Sequence, residues 1–135
     1  MRVLLDTNVL VSAVATRGLC ADVFREVLIS HELIVSDPLL KEVKKVLQQK
    51  FKVPTSLVSE FLNLLKQDTV FIKPSRSLEV NIKDKSDLII IASALSGGAD
   101  LLVTGDRELL NLGNIENLEI VSPREFWEKV KSQTE

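Results

Sequence analysis

Two carboxylates follow directly on short apolar runs. Val3-Leu4-Leu5 leads into Asp6-Thr7-Asn8-Val9, and Leu101-Leu102-Val103 leads into Thr104-Gly105-Asp106. Each run reads as a short buried strand, and a carboxylate at such a strand end is costly unless something pairs with it. Ligands of open α/β sheets bind at the carboxyl ends of the strands, so acids delivered there suit a divalent cation. Hard cations such as Mg²⁺ and Mn²⁺ take oxygen ligands and keep several waters, which fits an all-carboxylate set better than zinc does. A plain structural role competes for each acid. Asp106 is placed to cap a helix beginning near Glu108. Asp6 is harder to explain that way, because Thr7 and Asn8 already bring capping chemistry beside it.

Two further acids are placed by helical phase. Asp87 follows Asp84-Lys85-Ser86 at the start of a run, Leu88 to Leu95, that is apolar nearly all round apart from Ser93. A helix of that kind is buried on most sides, and Asp87 shares a face with Ile91 and Ala94, which aims it inward. The alternative is a capping box with Asp84 as N-cap and Asp87 at the third position. In the preceding half of the chain Leu39, Leu40, Val43, Val46 and Leu47 mark one helix stripe, with Lys41, Lys45 and Gln48 opposite. Glu42 falls at the margin of that stripe. It either turns toward the sheet edge or reaches water.

The elements that must position these acids are strands separated by helices. Strands are expected at 3–5, 33–35, 70–72, 101–103 and 118–121. A loop is expected after the first strand, with Gly18 near its end, then a helix over 19–30 with Val23, Phe24, Val27 and Leu28 as its apolar stripe. Ser36-Asp37-Pro38 starts a helix reaching about Lys50, with a capping side chain and an early proline. Pro54-Thr55-Ser56 starts another, and a loop covers 74–82. The buried helix opening at Asp84 ends at Gly97-Gly98, a short helix covers 108–112, and Ser122-Pro123 caps the last helix. Its tail, 131–135, is expected to fray. This order predicts one domain over 1–135, a three-layer α/β/α sandwich with a mainly parallel central sheet and right-handed crossovers.

Composition removes several functional classes. Cys20 is the only cysteine, which excludes an intrachain disulfide and a thiolate-rich zinc site and suits a cytoplasmic location. The opening Met1-Arg2-Val3-Leu4-Leu5 resembles a signal peptide only until Asp6 and Asn8 interrupt it. The apolar run at 88–95 is too short to span a bilayer. Aromatic residues are 4% of the chain, with no Tyr, so a base-stacking platform is not expected. A net charge of −2 argues against holding nucleic acid by bulk electrostatics, though not against an enzyme acting on it. Lys41, Lys44, Lys45, Lys50 and Lys52 cluster in a segment whose only acid is Glu42. They form either a solvated helix face or a phosphate-contacting rim. His31, the one histidine, sits at a helix-to-strand turn and suits a surface or capping role. No Ser-His-Asp or Cys-His arrangement and no phosphate-binding glycine motif is present.

The ordered set Asp6-Thr7-Asn8, Ser36…Leu40-Lys41-Glu42-Val43, Asp84…Asp87…Ala92…Ala94-Leu95 and Ala99-Asp100…Thr104-Gly105-Asp106…Leu109-Leu110 resembles the PIN-domain ribonucleases. It is nearest to the small prokaryotic members, which include the VapC-type toxins, and the resemblance spans nearly the whole chain. It implies that Asp6, Glu42, Asp87 and Asp106 form an acidic metal-binding quartet, with Asn8 and Thr104 shaping the site. Asp84 is then a supporting neighbour or a helix cap. Small relatives often carry Asp-Pro before the third acid, whereas Lys85 follows Asp84 here, so that loop is expected to differ in shape.

The implied activity is hydrolysis of RNA phosphodiester bonds with one or two Mg²⁺ or Mn²⁺ ions, on single-stranded or looped RNA. Implied partners are an antitoxin peptide that covers the acids and a second copy of the chain, with Lys41, Lys44 and Lys45 as RNA or antitoxin contacts. Two other functions stay open from the residues alone. One is a phosphomonoesterase with Asp6 as nucleophile, although Asn8 stands where a second Asp is wanted. The other is a protein-binding PIN module without turnover.

Overall fold

A computed structural model describes residues 1–67, 69–74 and 85–133. Along them run β1 (Arg2–Leu5), α1 (Thr7–Ala15), α2 (Leu19–Ser30), β2 (Glu32–Ser36), α3 (Asp37–Gln49), α4 (Thr55–Lys66) and β3 (Val70–Ile72). There follow α5 (Lys85–Ser96), β4 (Leu101–Val103), α6 (Arg107–Leu112), β5 (Asn114–Ile115), β6 (Leu118–Val121) and α7 (Pro123–Gln133). The strands form one sheet in the order β3-β2-β1-β4-β6-β5. All neighbours are parallel except β5, which pairs antiparallel with β6. This is the expected three-layer α/β/α arrangement with a mainly parallel sheet.

The apolar runs explain the sheet. Val3, Leu4 and Leu5 of β1 and Leu101, Leu102 and Val103 of β4 are all buried, as strands covered on both faces must be. The chain steps from β1 outward to β2 and β3, then returns through α5 to β4 on the other side of β1. The winding direction therefore reverses between β1 and β4, and the crevice at the carboxyl ends of those two strands is where a ligand site is expected. Arg2 fastens the opposite end. Its backbone N–H donates to Asp100 Oδ2 (2.8 Å), its Nε to Glu32 Oε2 (3.1 Å) and its Nη1 to the Gly97 carbonyl (3.0 Å).

Several expectations are corrected. The loop expected after β1 is helix α1, in which Thr7, Val9, Leu10 and Val11 are buried against α2 and α3. Its three valines lower helix propensity, and packing overrides that preference. Leu28 and Ile89, expected inside, are 44% and 43% exposed. Strand β5 has two residues, too short to leave an alternating pattern. The last helix continues past Lys131, whose ammonium lies 4.8 Å from the Trp127 ring centre, to Gln133. It opens on a capping box, with the Glu125 N–H donating to Ser122 Oγ (3.1 Å) and the Ser122 N–H to Glu125 Oε1 (3.0 Å). The loop expected at 74–82 falls, beyond Pro74, outside the described residues, as do Asp84 and the last two residues. Among the described residues no helix is long and apolar enough to cross a membrane.

Gly97 is required by close approach. A Cβ there would lie 2.8 Å from Ile34 Cγ2 and 3.3 Å from the Ser93 carbonyl oxygen. Gly97→Ala should therefore destabilise the protein by about 1–3 kcal/mol through overpacking, read as a lowered urea midpoint. Gly105→Ala, whose Cβ meets nothing within 4 Å, should leave the midpoint close to the parent's.

Candidate active site

The register of β1 on β4 pairs Leu5 with Val103, so the next residues, Asp6 and Thr104, leave the sheet side by side. The Asp6 N–H donates to the Val103 carbonyl at 2.9 Å, and the Thr104 N–H to the Val121 carbonyl at 3.0 Å, extending both ladders past the last strand residues. Thr104 is fully buried and Asp6 only 6% exposed. The Thr104 hydroxyl donates to Asp6 Oδ2 at 2.7 Å and accepts the Asp106 N–H at 3.0 Å. One side chain thus ties the end of β1 to the loop after β4.

Both strand-end acids are helix caps. Asp6 is the N-cap of α1, its Oδ1 accepting the Thr7 N–H at 2.8 Å. That corrects the expectation that Thr7 and Asn8 leave Asp6 no capping role. Asp106 caps α6, with Oδ1 accepting the Glu108 N–H at 2.8 Å. Capping and ion binding are compatible, because the positive end of a helix favours the ionised carboxylate that either role needs.

Asp87 lies in the first turn of α5 and is 8% exposed, the inward placement its phase predicts. Glu42 lies in the second turn of α3, half-buried at the margin of a stripe in which Leu39, Leu40, Val43 and Leu47 are buried. A cleft of about 370 Å³ runs between these helices, lined by Pro38, Lys41, Glu42, Lys45, Val46, Ile89 and Ile90. Glu42 therefore opens onto a cleft with two lysines, and Asp87 sits two residues before its Ile89 wall. Asp6 and Asp106 do not line it.

The structure thus brings Asp6, Thr104 and Asp106 together and sets Glu42 and Asp87 on neighbouring helices. Among the described residues no three His, Cys, Asp or Glu side chains form a group set to hold a metal. Asp84 lies outside the described residues. Asn8 is exposed in the first turn of α1. Lys41 is exposed and pairs with Asp37 at 3.1 Å, and Lys44 is exposed outside the cleft lining.

Sequence reasoning passed over two features. The fully buried hydroxyls of Ser36 and Ser93 share a 2.8 Å hydrogen bond, and Ser36 also caps α3 by accepting the Leu39 N–H at 3.4 Å. This fastens the helix bearing Glu42 to the helix bearing Asp87. The signal was Ser93, a lone polar residue inside an apolar run. The second feature is Thr7, which is 2% exposed.

His31 stands apart, as the C-cap of α2 at the amino ends of the strands, with its ring edge-on to Phe126. Burial lowers its imidazole pKa, the nearby terminal ammonium lowers it further, and Glu26 opposes both. Burial also raises the Cys20 thiol pKa, with a hydrogen bond to Ser12 opposing.

A doubly wound sheet with capping carboxylates on either side of its switch point defines an α/β protein with an acidic site at the strand ends. The chain belongs to the PIN-domain family, which it matches over residues 2–108. Its fold resembles that of a solved structure of VapBC2 from Rickettsia felis bound to a promoter DNA fragment, at 17% identity and TM-score 0.63. That match covers 90% of this chain and 98% of the other. It also resembles VapBC-1 from nontypeable Haemophilus influenzae at 19% identity and TM-score 0.64, covering 92% and 99%. These likenesses bear on the fold alone. No curated protein sequence matches the chain.

The Thr104 hydroxyl should be the main polar fastening of this site. Thr104→Val leaves Asp6 and the Asp106 N–H each short of a partner and should lower stability by about 1–3 kcal/mol, whereas Thr104→Ser should recover most of it. Urea unfolding of the two variants beside the parent measures the difference.

Proposed function

We propose that the protein is a metal-dependent endoribonuclease, the toxin of a toxin–antitoxin pair. The observation that carries this reading is the Asp6–Thr104–Asp106 link across the switch point of a PIN-family sheet. Mg²⁺ is commonly held by one or two carboxylates, with waters and substrate phosphate completing its shell. A site built on two strand-end acids fits such an ion better than one that needs an all-protein shell. Mn²⁺, which shares the preference for oxygen ligands, fits the same donors.

Asp6 and Asp106 would hold the cation, and Glu42 and Asp87 would hold its waters or a second ion. Bound there, the cation would supply an activated water and charge stabilisation at the phosphate. The protein's own part is preorganisation. The Thr7 N–H and Thr104 hydroxyl fix the Asp6 carboxylate at both oxygens, and burial keeps competing water away from it. Lys41 and Lys45, beside Glu42 in the cleft, would meet the phosphates of a single-stranded or looped RNA as it approaches the acids.

The two similar structures are of VapBC assemblies, which supports a partner for this chain as well. An antitoxin peptide that covers the acids and engages the α3 lysines is the partner this reading assigns, together with a second copy of the chain and a cytoplasmic setting.

RNA cleavage should appear with Mn²⁺ or Mg²⁺ and stop on chelation. Asp6→Asn should reduce it by at least about a hundredfold, the scale of losing one charge-stabilising group, with folding retained by circular dichroism. Release of phosphate from a chromogenic monoester without RNA cleavage would overturn the nuclease reading, and so would cleavage by Asp6→Asn at the parent's rate.

A further inference from the structure

One aliphatic side chain of α5 is left in the open. Ile90 and Ile91 are buried, yet Ile89 beside them is 43% exposed. A single exposed apolar residue is ordinary on a protein surface. This one stands in the wall of the cleft between α3 and α5, which Glu42 also lines, two residues after Asp87.

The cleft joins two chemistries. Pro38, Val46, Ile89 and Ile90 give it aliphatic walls, and Lys41 and Lys45 bring ammonium groups to it from α3. Lys41 is held by Asp37 only in an exposed pair, which contributes little and yields to a competing anion at small cost. The buried Ser36–Ser93 bond joins the two helices that form the walls, so the cleft needs no ligand to hold its shape. Its volume of about 370 Å³ is near the lower end for small-molecule sites, roughly 300–1,000 Å³. A suitable occupant has a flat apolar face with negative charge beside it. A nucleotide has both, its base against the aliphatic walls and its phosphate toward the lysines. Aromatic residues are only 4% of the chain, but apolar side chains also grip a base that has left its stack.

We propose that this cleft seats the base of a nucleotide flanking the scissile phosphate, and that Ile89 determines which base is preferred there. The inference rests on the nuclease reading above and adds what the acids cannot supply. Carboxylates and a cation act on the phosphate, which is the same in every nucleotide, so contacts there carry no sequence information. A sequence preference needs a surface that meets the base, and unstacked bases of single strands are where RNA sequence is read.

The test is cleavage of a randomised single-stranded RNA pool with Mn²⁺, the product ends being sequenced, by the parent, Ile89→Ala, Ile89→Leu and Lys45→Ala. Oligonucleotides carrying favoured and disfavoured bases then give kcat and KM. The parent should favour certain bases at one position beside the cut. In Ile89→Ala that preference should fall by about tenfold, the scale of removing a methylene or two from an apolar pocket. The loss should appear in KM for the favoured base, with kcat and the urea midpoint near the parent's. Ile89→Leu should keep most of the preference. Lys45→Ala should weaken binding of all sequences alike and reduce its salt dependence.

An unchanged preference in Ile89→Ala, as expected if the cleft takes a peptide instead, would overturn the assignment and leave the nuclease reading standing. A parent that cleaves RNA with no base preference beside the cut would do the same. A parent that cleaves no RNA would sink the nuclease reading itself, and this inference with it.

Discussion

The architecture of the site hangs on one hydrogen bond, from the Thr104 hydroxyl to Asp6 Oδ2. It joins the ends of two strands that are adjacent in the sheet and almost a hundred residues apart in sequence. Because the Thr104 hydroxyl oxygen also accepts the Asp106 N–H, the path of the loop after β4 is set by the position of Asp6. A bond to an ionised acceptor in a buried setting is among the stronger fastenings available to a protein. Here it sits where the winding of the sheet reverses and no strand crosses in front. The carboxylate is thus held in place by donors at both of its oxygens.

Parallel topology supplies the rest of the electrostatics. In a sheet whose strands run the same way, each following helix starts at the same edge. The first turns of α1, α3, α5 and α6 therefore face the carboxyl ends of β1, β2 and β4. Asp6, Ser36 and Asp106 cap three of those starts and Asp87 lies in the fourth. Helix N-termini stabilise negative charge, so several acids can gather on one edge of a protein without its backbone opposing them. The Ser36–Ser93 bond then ties the start of α3 to the later turns of α5.

Much of this was legible in the sequence. The apolar runs at 3–5 and 101–103 marked the central strands, and the Ser36-Asp37-Pro38 start of α3 and the glycine stop of α5 fell where expected. Helical phase placed Asp87 inside and Glu42 at a margin. What was hidden has physical causes. Helix α1 is rich in valine and apolar on most sides, so neither propensity nor periodicity announces it, and only its packing against α2 and α3 makes it a helix. That error carried into the chemistry. With no helix expected after Asp6, the capping of α1 by its carboxylate could not be foreseen, nor could the burial of Thr7. The Thr104 bridge depends on register between β1 and β4, a long-range property that no local window contains.

Among the described residues the sheet ends in very short strands. At one margin β3 spans three residues, and at the other β5 spans two and runs against its neighbour. A strand margin of ordinary length is a template on which another chain can add itself, and proteins that stay dispersed shorten or disrupt such margins. Two or three backbone units give an incoming strand too few bonds to settle. Recognition by strand addition is thereby disfavoured at both margins, and a macromolecular partner has the helical faces left to read, where side chains rather than backbone determine which surface is accepted.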